Sequence, residues 1–359
     1  MENMVIEKSF SDIYRGKKVL ITGNTGFKGS WLSIWLMELG AEVLGVSLEP
    51  KNKLDNFNVS NLKTKTDTKI QDIRDYDSIS SVFEEFKPEM VFHLAAQALV
   101  STSYDDPRLT FETNFIGTLN ILEAIKNQDS VKAGVLITSD KCYKNIEQIW
   151  GYRENDLLGG NDPYSASKAC AEILINSYIK SCMTNNKALI ASSRAGNVIG
   201  GGDWSENRLI PDSFKALYDD RPIIIRNSDS TRPWQFVLEP LKGYLMLGEQ
   251  LLSGSENHVG SWNFGPPQDN IFTVGEVVEY IIRLWGKGEM QNKNNNMFSE
   301  SNLLQLDCTK SITQLGWKPS LDFKSSFRFV TDWYKYLKEN DNIDMYQFCV
   351  DQINEYENI

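Results

Sequence analysis

Apolar residues along this chain fall into two alternating rhythms. Short β-branched runs read as buried strands: Lys18–Thr22 (KVLIT), Glu42–Ser47 (EVLGVS), Met90–Ala95 (MVFHLA), Gly134–Thr138 (GVLIT) and Ala188–Arg194 (ALIASSR), with Lys69–Asp72 (KIQD) a shorter one. Between them lie segments that are apolar at helical spacing. Ser30–Leu39 carries Leu32, Ile34, Trp35, Leu36 and Leu39 and is followed by Gly40 in a C-cap position. Asp77–Phe86, Leu109–Ile125 and Tyr164–Ile179 are the others. Strands of this kind alternating with helices predict an α/β fold, a doubly wound parallel sheet with helices on both faces.

After Gly196 the rhythm breaks. A glycine-rich stretch (GNVIGGGDW) gives way to short mixed segments, with helices over Ile210–Asp219, Leu238–Leu252 and Lys324–Leu337. Residues Gly286–Asn302 are polar and Asn-rich, without an apolar period, and predict a surface loop. A chain of 359 residues exceeds the usual size of one hydrophobic core. The expected division is 1–195 for the wound sheet and 196–359 for a smaller mixed α/β lobe, with some return of the chain to the first.

Composition narrows the chemistry. The formal net charge is -11 and the pI about 4.9, which argues against nucleic acid or an anionic membrane as partner. An anionic small molecule would need a local cluster of cations. The five cysteines show neither zinc-knuckle nor CxxC spacing, and their odd number suits free thiols in a reducing compartment. Two histidines, His93 and His258, make a His-based metal site or a Ser-His-Asp triad a poor expectation. The polar stretch from Met1 to Gly16 lacks a signal-peptide pattern, and no apolar run approaches the ~20 residues of a membrane helix, so a cytoplasmic location is expected.

Gly23-Asn24-Thr25-Gly26-Phe27-Lys28-Gly29 lies between the first strand and the first helix. Glycines there let the backbone turn tightly and approach a pyrophosphate, with helix N–H groups facing its charge, as in Rossmann-like dinucleotide sites. Gly23, Thr25, Gly26, Phe27 and Gly29 are therefore candidate cofactor residues. No Asp stands at the end of the second strand; Glu49 comes late, and Lys51 and Lys53 lie nearby, so spacing alone does not choose NAD over NADP.

Tyr164 and Lys168 are four apart on one helix face, where the cation can favour a phenolate base. Ser139, at the end of the fifth strand, can share the same substrate hydroxyl. Asp140 and Lys141 follow it directly, an ionisable pair at the mouth of the sheet, where ligands of such folds bind. Oxidation of an alcohol needs Ser139, Tyr164 and Lys168; it has no use for Asp140-Lys141.

The GxxxGxxG form, the Tyr-Lys pair and the later motifs resemble the extended short-chain dehydrogenase/reductase superfamily. Within it, GNTGFKGSWL, TSDKCY, DPYSASKACAE, RAGNVIGGGDW, RLIPD, RPWQFVLEPLKGYL and LGWKP are similar to the CDP-glucose 4,6-dehydratase branch. The resemblance implies NAD as cofactor, with Asp72 and Ile73 by the adenine, Leu94, Ala95 and Ala96 under the dinucleotide, and Asn114 on its helix. It also implies Asn197, Arg208, Arg232 and Asn263 as substrate contacts, and Trp204 and Trp234 either in the pocket or in the core. The implied reaction turns CDP-glucose into a 4-keto-6-deoxy sugar by C4 oxidation, loss of water across C5 and C6, and hydride return. Its setting would be bacterial surface-polysaccharide (O-antigen) biosynthesis, in a homodimer or larger homo-oligomer paired through the Leu109–Ile125 and Tyr164–Ile179 helices. The relatives that act on dTDP-glucose hold an Asp–Glu pair where this chain has Asp140-Lys141. A lysine base would need its pKa lowered by roughly three units from ~10.4, so Lys141 is expected either as that base or as a cation stabilising the enolate, with Asp140 the acid. A nucleotide-sugar 4-epimerase or decarboxylase, a dehydratase of another NDP-hexose, and a non-enzymatic NAD-binding protein are the competing readings.

Overall fold

The computed structural model describes residues 10, 12–183, 188–267, 272–293, 304–340 and 343–359. Its centre is a seven-stranded sheet, parallel throughout. In chain order the strands are β1 (Lys18–Thr22), β2 (Glu42–Ser47), β3 (Asp67–Ile70), β4 (Met90–His93), β5 (Ala133–Ile137), β6 (Leu189–Ala195) and β7 (Gly260–Phe264). They lie side by side as β7-β6-β5-β4-β1-β2-β3. Winding reverses between β1 and β4, and that reversal leaves a crevice at the carboxyl edge.

Helices α1 (Phe27–Glu38), α2 (Tyr76–Phe86), α3 (Gly117–Asn127) and α4 (Pro163–Ser181) connect the strands. Asp75 caps α2 by accepting from Ser78 N, and Asp162 caps α4 by accepting from Ser165 N. Gly40 takes a φ of +83° just past α1, the left-handed stop expected of it. Later come α5 (Leu209–Tyr218), α6 (Leu238–Leu252), α7 (Val274–Trp285), α8 (Phe323–Glu339) and α9 (Met345–Glu357).

Three local expectations are corrected. Leu109–Ile125 is not one regular helix: Pro107–Phe111 is α-helical, Glu112–Ile116 widens into a π-helical turn, and α3 begins at Gly117. Met290–Asn292, within the expected loop, pairs as a short strand with Ile223–Ile225; that loop's part beyond residue 293 lies outside the described residues, as do residues 1–9 of the N-terminal stretch. β7 was not anticipated, because Gly260-Ser-Trp-Asn-Phe is too polar to read as a buried run, yet it aligns beside β6 with Asn263 opposite Arg194.

The largest core joins both halves of the chain. Trp31 of α1 meets Phe236 edge to face at 6.3 Å and donates from Nε1 to the Gly201 carbonyl at 2.9 Å. Trp204 and Trp234 both belong to this core: Trp204 packs edge-on against Tyr334, and Trp234 against Phe327. Trp317 is fully buried and donates to the Glu239 carbonyl, which makes the LGWKP segment structural. Gly201 is the tightest point, since a Cβ there would lie 1.9 Å from the buried Trp333 indole. Gly201→Ala is therefore expected to destabilise the protein by about 1–3 kcal/mol, read as a lowered thermal-unfolding midpoint; an unchanged midpoint would show that the Trp333 ring has room to move.

Candidate functional site

The glycine loop after β1 and the 94–96 segment after β4 meet at the β1–β4 crevice. The 23–26 loop leaves β1 with Gly23 at φ +77°, and a Cβ on Gly23 would sit 2.7 Å from the Ala95 nitrogen. A Cβ on Gly29 would sit 2.1 Å from the Gly23 carbonyl. Bare backbone thus lines a cradle at the start of α1. Thr25 fastens this loop to the end of β2, its hydroxyl bonded to Ser47 Oγ (2.7 Å) and the Leu48 carbonyl (2.9 Å). Phe27 faces the second half of the chain, where a Cβ on Gly200 would touch its ring at 2.8 Å. Gly26 caps α1, and Leu94, Ala95 and Ala96 pass half-buried beneath the loop.

Three other candidates have partners within the protein. Asp72 is bound to the Arg74 guanidinium at 2.6 Å, which holds its carboxyl below the usual range. Ile73 is buried and lies where a Cβ on Gly117 would touch it. Asn114 spends its amide inside the protein: Oδ1 accepts from Gln97 N, and Nδ2 donates to Gln97 O and to Ser167 Oγ of α4. The π-helical turn brings that amide across to α4.

Tyr164 and Lys168 lie one turn apart on α4, both buried. Ser139 starts the short helical turn Asp140–Cys142; its Oγ accepts from Lys141 N (3.2 Å) and donates to Asp140 Oδ1 (2.9 Å). Lys141 Nζ is 3.3 Å from the same carboxylate oxygen. Burial pushes the Tyr164 phenol above its ordinary pKa; the Lys141 charge, the Ser139 hydroxyl and Arg208 pull it back. The cation acting most on the phenol is thus Lys141, where the sequence pointed to Lys168. Burial lowers Lys168 to about 8 against the opposing pull of Glu172 and Cys142. Burial also depresses Lys141, but Asp140 and Tyr164 outweigh it, and its pKa ends above the ordinary lysine value. The lowered pKa that a lysine base would require is thus opposed at Lys141 by Asp140 and Tyr164.

Sequence reasoning passed over Lys28, between the glycines of the loop. Burial, with Arg208, Lys168 and Lys141 close by, lowers it to about 7, with Asp140 opposing. Its signal was available: it stands in the first turn of α1, the end that faces the cleft. Lys141, Lys168, Arg208 and Asp140 thus all act on Lys28, which makes this a region of positive potential in an acidic protein.

From the second half, Gly196 lies against Asp140, with a Cβ-to-Oδ2 approach of 3.3 Å, and Pro233, Gly265 and Leu306 line the same cleft. Asn197 follows Gly196, paired with Trp234. Arg208 reaches across to the Ala98 carbonyl (2.9 Å) and Asp203 (3.5 Å), and half-buried Arg232 donates to the Thr231 carbonyl (2.8 Å). Asn263 departs from its expected role. It is fully buried, accepts from the Tyr143 hydroxyl, and donates to the Tyr152 and Asp307 carbonyls, so its amide holds protein segments together and none of it faces the cleft.

A family model described as GDP-mannose 4,6 dehydratase matches residues 20–328. The chain belongs to this dehydratase family. Among its relatives, the CDP-glucose 4,6-dehydratase of Salmonella typhimurium is 43% identical over 337 residues, 92% of this chain and 93% of that one. The UDP-glucuronate 4-epimerase of Thermodesulfobacterium geofontis is 25% identical, over 88% of this chain and 95% of its own. In three dimensions the dehydratase-family chain resembles Thermus thermophilus UDP-glucose 4-epimerase, solved in complex with NAD, at a TM-score of 0.76 and 26% identity, covering 88% and 98% of the two chains.

His93, at the end of β4, is sealed between Thr22 Oγ1 (2.7 Å) and Thr118 Oγ1 (3.1 Å), and burial, aided by the Lys168 charge, lowers its pKa to about 3. It folds neutral, whereas the unfolded chain protonates near ~6.5. Its contribution is complete above that pH and is lost as pH falls from there toward about 3. Between pH ~6.5 and ~4.5 the wild-type protein should lose about 1.4 kcal/mol per pH unit more than His93→Gln, measured by denaturant unfolding across that range. Parallel pH slopes would place the acid sensitivity elsewhere.

Proposed function

We propose that this chain is an NAD-dependent CDP-glucose 4,6-dehydratase. The observation that carries the reading is the Asp140–Lys141 pair, joined at 3.3 Å beside the Ser139 and Tyr164 hydroxyls at the mouth of the cleft. An alcohol oxidation or epimerisation has no task for that pair; an elimination does. The relative at 43% identity supports CDP-glucose as the substrate.

The cradle formed at Gly23, Gly26 and Gly29, with Thr25, Phe27, Leu94, Ala95 and Ala96 around it, fits a dinucleotide, because any Cβ at Gly23 or Gly29 would fill it. Asp72, Ile73, Asn114, Tyr164 and Lys168 border the same site. When bound, NAD supplies the acceptor and later the donor of hydride. Tyr164 takes the proton of the sugar C4 hydroxyl, with Ser139 orienting that hydroxyl. The resulting ketone acidifies the C5 hydrogen. Lys141, already protonated, cannot accept it; its charge stabilises the enolate oxygen instead. The proton then passes from C5 to the departing C6 oxygen across the pair, Asp140 accepting it as a carboxylate and Lys141 standing ready as donor. This reverses the assignment of Asp140 as acid that the sequence alone suggested. Asn197, Arg208 and Arg232, with Lys28, offer donors and positive charge to the substrate diphosphate.

Two further features belong to this reading. Ile116 and Ile173 are exposed on the π-helical turn and α4 (38% and 58%), as is Tyr104 nearby, which supports pairing of two copies through these helices. The five free cysteines suit a reducing cytoplasm, where a deoxysugar for bacterial surface polysaccharide would be made.

The test is incubation with CDP-, dTDP-, UDP- and GDP-hexoses under mass detection. CDP-glucose should lose one water and give a 4-keto sugar. Unchanged mass with inverted C4 would establish an epimerase, and reaction of another donor alone would replace the nucleobase. Within the dehydratase, Lys141→Met should still form reduced cofactor but lose C5 exchange with solvent deuterium by at least about 100-fold. A cationic Lys141 leaves the wild-type exchange rate flat across neutral pH. A rise of about tenfold per pH unit would mean that Lys141 is the base after all.

A further inference from the structure

Beneath the cleft lies a buried ion pair that the proposed chemistry does not use. Glu172 and Arg194 meet at 2.6 Å, their side chains 0% and 3% exposed. Glu172 is on α4, one turn beyond Lys168 and two beyond Tyr164. Besides Arg194 it accepts from Thr138 Oγ1, from Ser192 Oγ (2.9 Å) and from Ser261 Oγ (3.1 Å). Arg194, on β6, donates to Ser261 Oγ (2.9 Å), the Tyr143 hydroxyl (2.7 Å) and the Glu154 carbonyl (3.0 Å). Thr138 immediately precedes Ser139, and Tyr143 is the residue that closes the Asp140–Cys142 turn. One partner of the pair therefore grips the chain just before the reactive turn, and the other grips it just after. Tyr143 passes the restraint on to Asn263 of β7 at 2.8 Å, which in turn holds the 152 and 307 segments.

A buried ion pair is a poor source of stability, because desolvation offsets its attraction. Its value lies in fixed geometry. We propose that Glu172 and Arg194 are positioning residues that clamp both ends of the turn carrying Ser139, Asp140 and Lys141, and that Glu172 is the countercharge of Lys168. The groups acting on or facing Lys168 are Glu172 on its own helix, Cys142 on the turn, Lys28 on α1, neutral His93 on β4 and the Ile137 carbonyl at the end of β5, 3.5 Å from its Nζ. Of these, Glu172 is the one held anionic, its carboxyl kept below the ordinary range by Arg194 and its hydroxyl donors despite burial. The inference rests on the dehydratase reading for its readouts.

Two variants test the two arms. In Glu172→Gln the amide keeps the shape and removes the charge. Burial then acts on Lys168, already lowered to about 8, without an opposing charge, so the alkaline limb of the rate of reduced-cofactor formation should move down by roughly one pH unit. Tyr143→Phe removes one hydroxyl and leaves the ion pair intact. Arg194 still lies over the ring at 4.8 Å, but with its hydrogen bond to the far end of the turn removed, elimination should slow relative to oxidation by about tenfold or more, so that reduced cofactor accumulates during turnover. Circular dichroism checks that each variant folds; should Glu172→Gln fail to fold, Tyr143→Phe decides the clamp, and Glu172→Asp, which keeps the charge and should leave the pH limb in place, decides the countercharge. A folded Glu172→Gln with an unmoved pH limb overturns the countercharge, and a Tyr143→Phe with the wild-type ratio of the two steps overturns the clamp. Wild-type protein that dehydrates no nucleotide sugar overturns the functional reading and this inference with it, whereas active wild type with unaffected variants overturns the inference alone.

Discussion

The constraint that shapes this molecule is the crowding of several cations beside a carboxylate at the carboxyl edge of the sheet. Arg208, Lys168 and Lys141 all act on Lys28 there, with Asp140 opposing them, and Asp140 also acts on Lys141. Low dielectric makes each repulsion expensive, and the chain answers it in three ways. Asp140 lies against Lys141, Glu172 acts on Lys168 from the next turn of α4, and burial with its neighbours lowers Lys28 to about 7. What is left over is positive potential in a protein of net charge -11, which attracts an anionic ligand to this place and to little else on the surface.

Parallel pairing is what brings these groups together. Every strand ends on the same edge, so the loops after β1, β4, β5 and β6 deliver the glycine cradle, the 94–99 segment, Ser139-Asp140-Lys141 and Gly196-Asn197 to one crevice. The later half of the chain closes that crevice with Pro233, Gly265 and Leu306, and it is anchored there by β7 within the sheet and by the shared core of Trp31, Phe236 and Trp333. The cleft walls thus stand on one continuous packing arrangement, which limits how far they can move apart.

Much of this was legible in the residues. β1, β2 and α6 run over the segments their patterns predicted, because continuous apolar runs and amphipathic periods are local signals. The glycine loop between β1 and α1, the Ser139-Asp140-Lys141 turn after β5, and Tyr164 and Lys168 one turn apart on one helix lie in the elements expected of them, because those expectations rest on short spacing. What was not legible depends on distant neighbours. β7 is half polar because Ser261 and Asn263 serve Glu172, Arg194 and Tyr143, partners brought by other strands and by α4. The π-helical turn at Glu112–Ile116 arises where Asn114 bridges Gln97 and Ser167. Asn263 looked like a ligand contact for the same reason: a buried amide and a substrate-binding amide are the same residue until its partners are known.

The charge state of Lys141 is where geometry decides chemistry. The same lysine in an apolar pocket without Asp140 would be lowered by burial, as Lys168 and Lys28 are, and could serve as a base near neutral pH. Joined to a carboxylate at 3.3 Å and facing the Tyr164 phenol, it is raised instead. That charge also assists the first step, since Lys141 is the strongest influence lowering the phenol's pKa. Under the proposed function one ammonium group would favour removal of the C4 hydroxyl proton and then meet the oxygen on which enolate charge accumulates. Oxidation and elimination would share that cation, an electrostatic group that serves both steps and leaves Asp140 to move the proton.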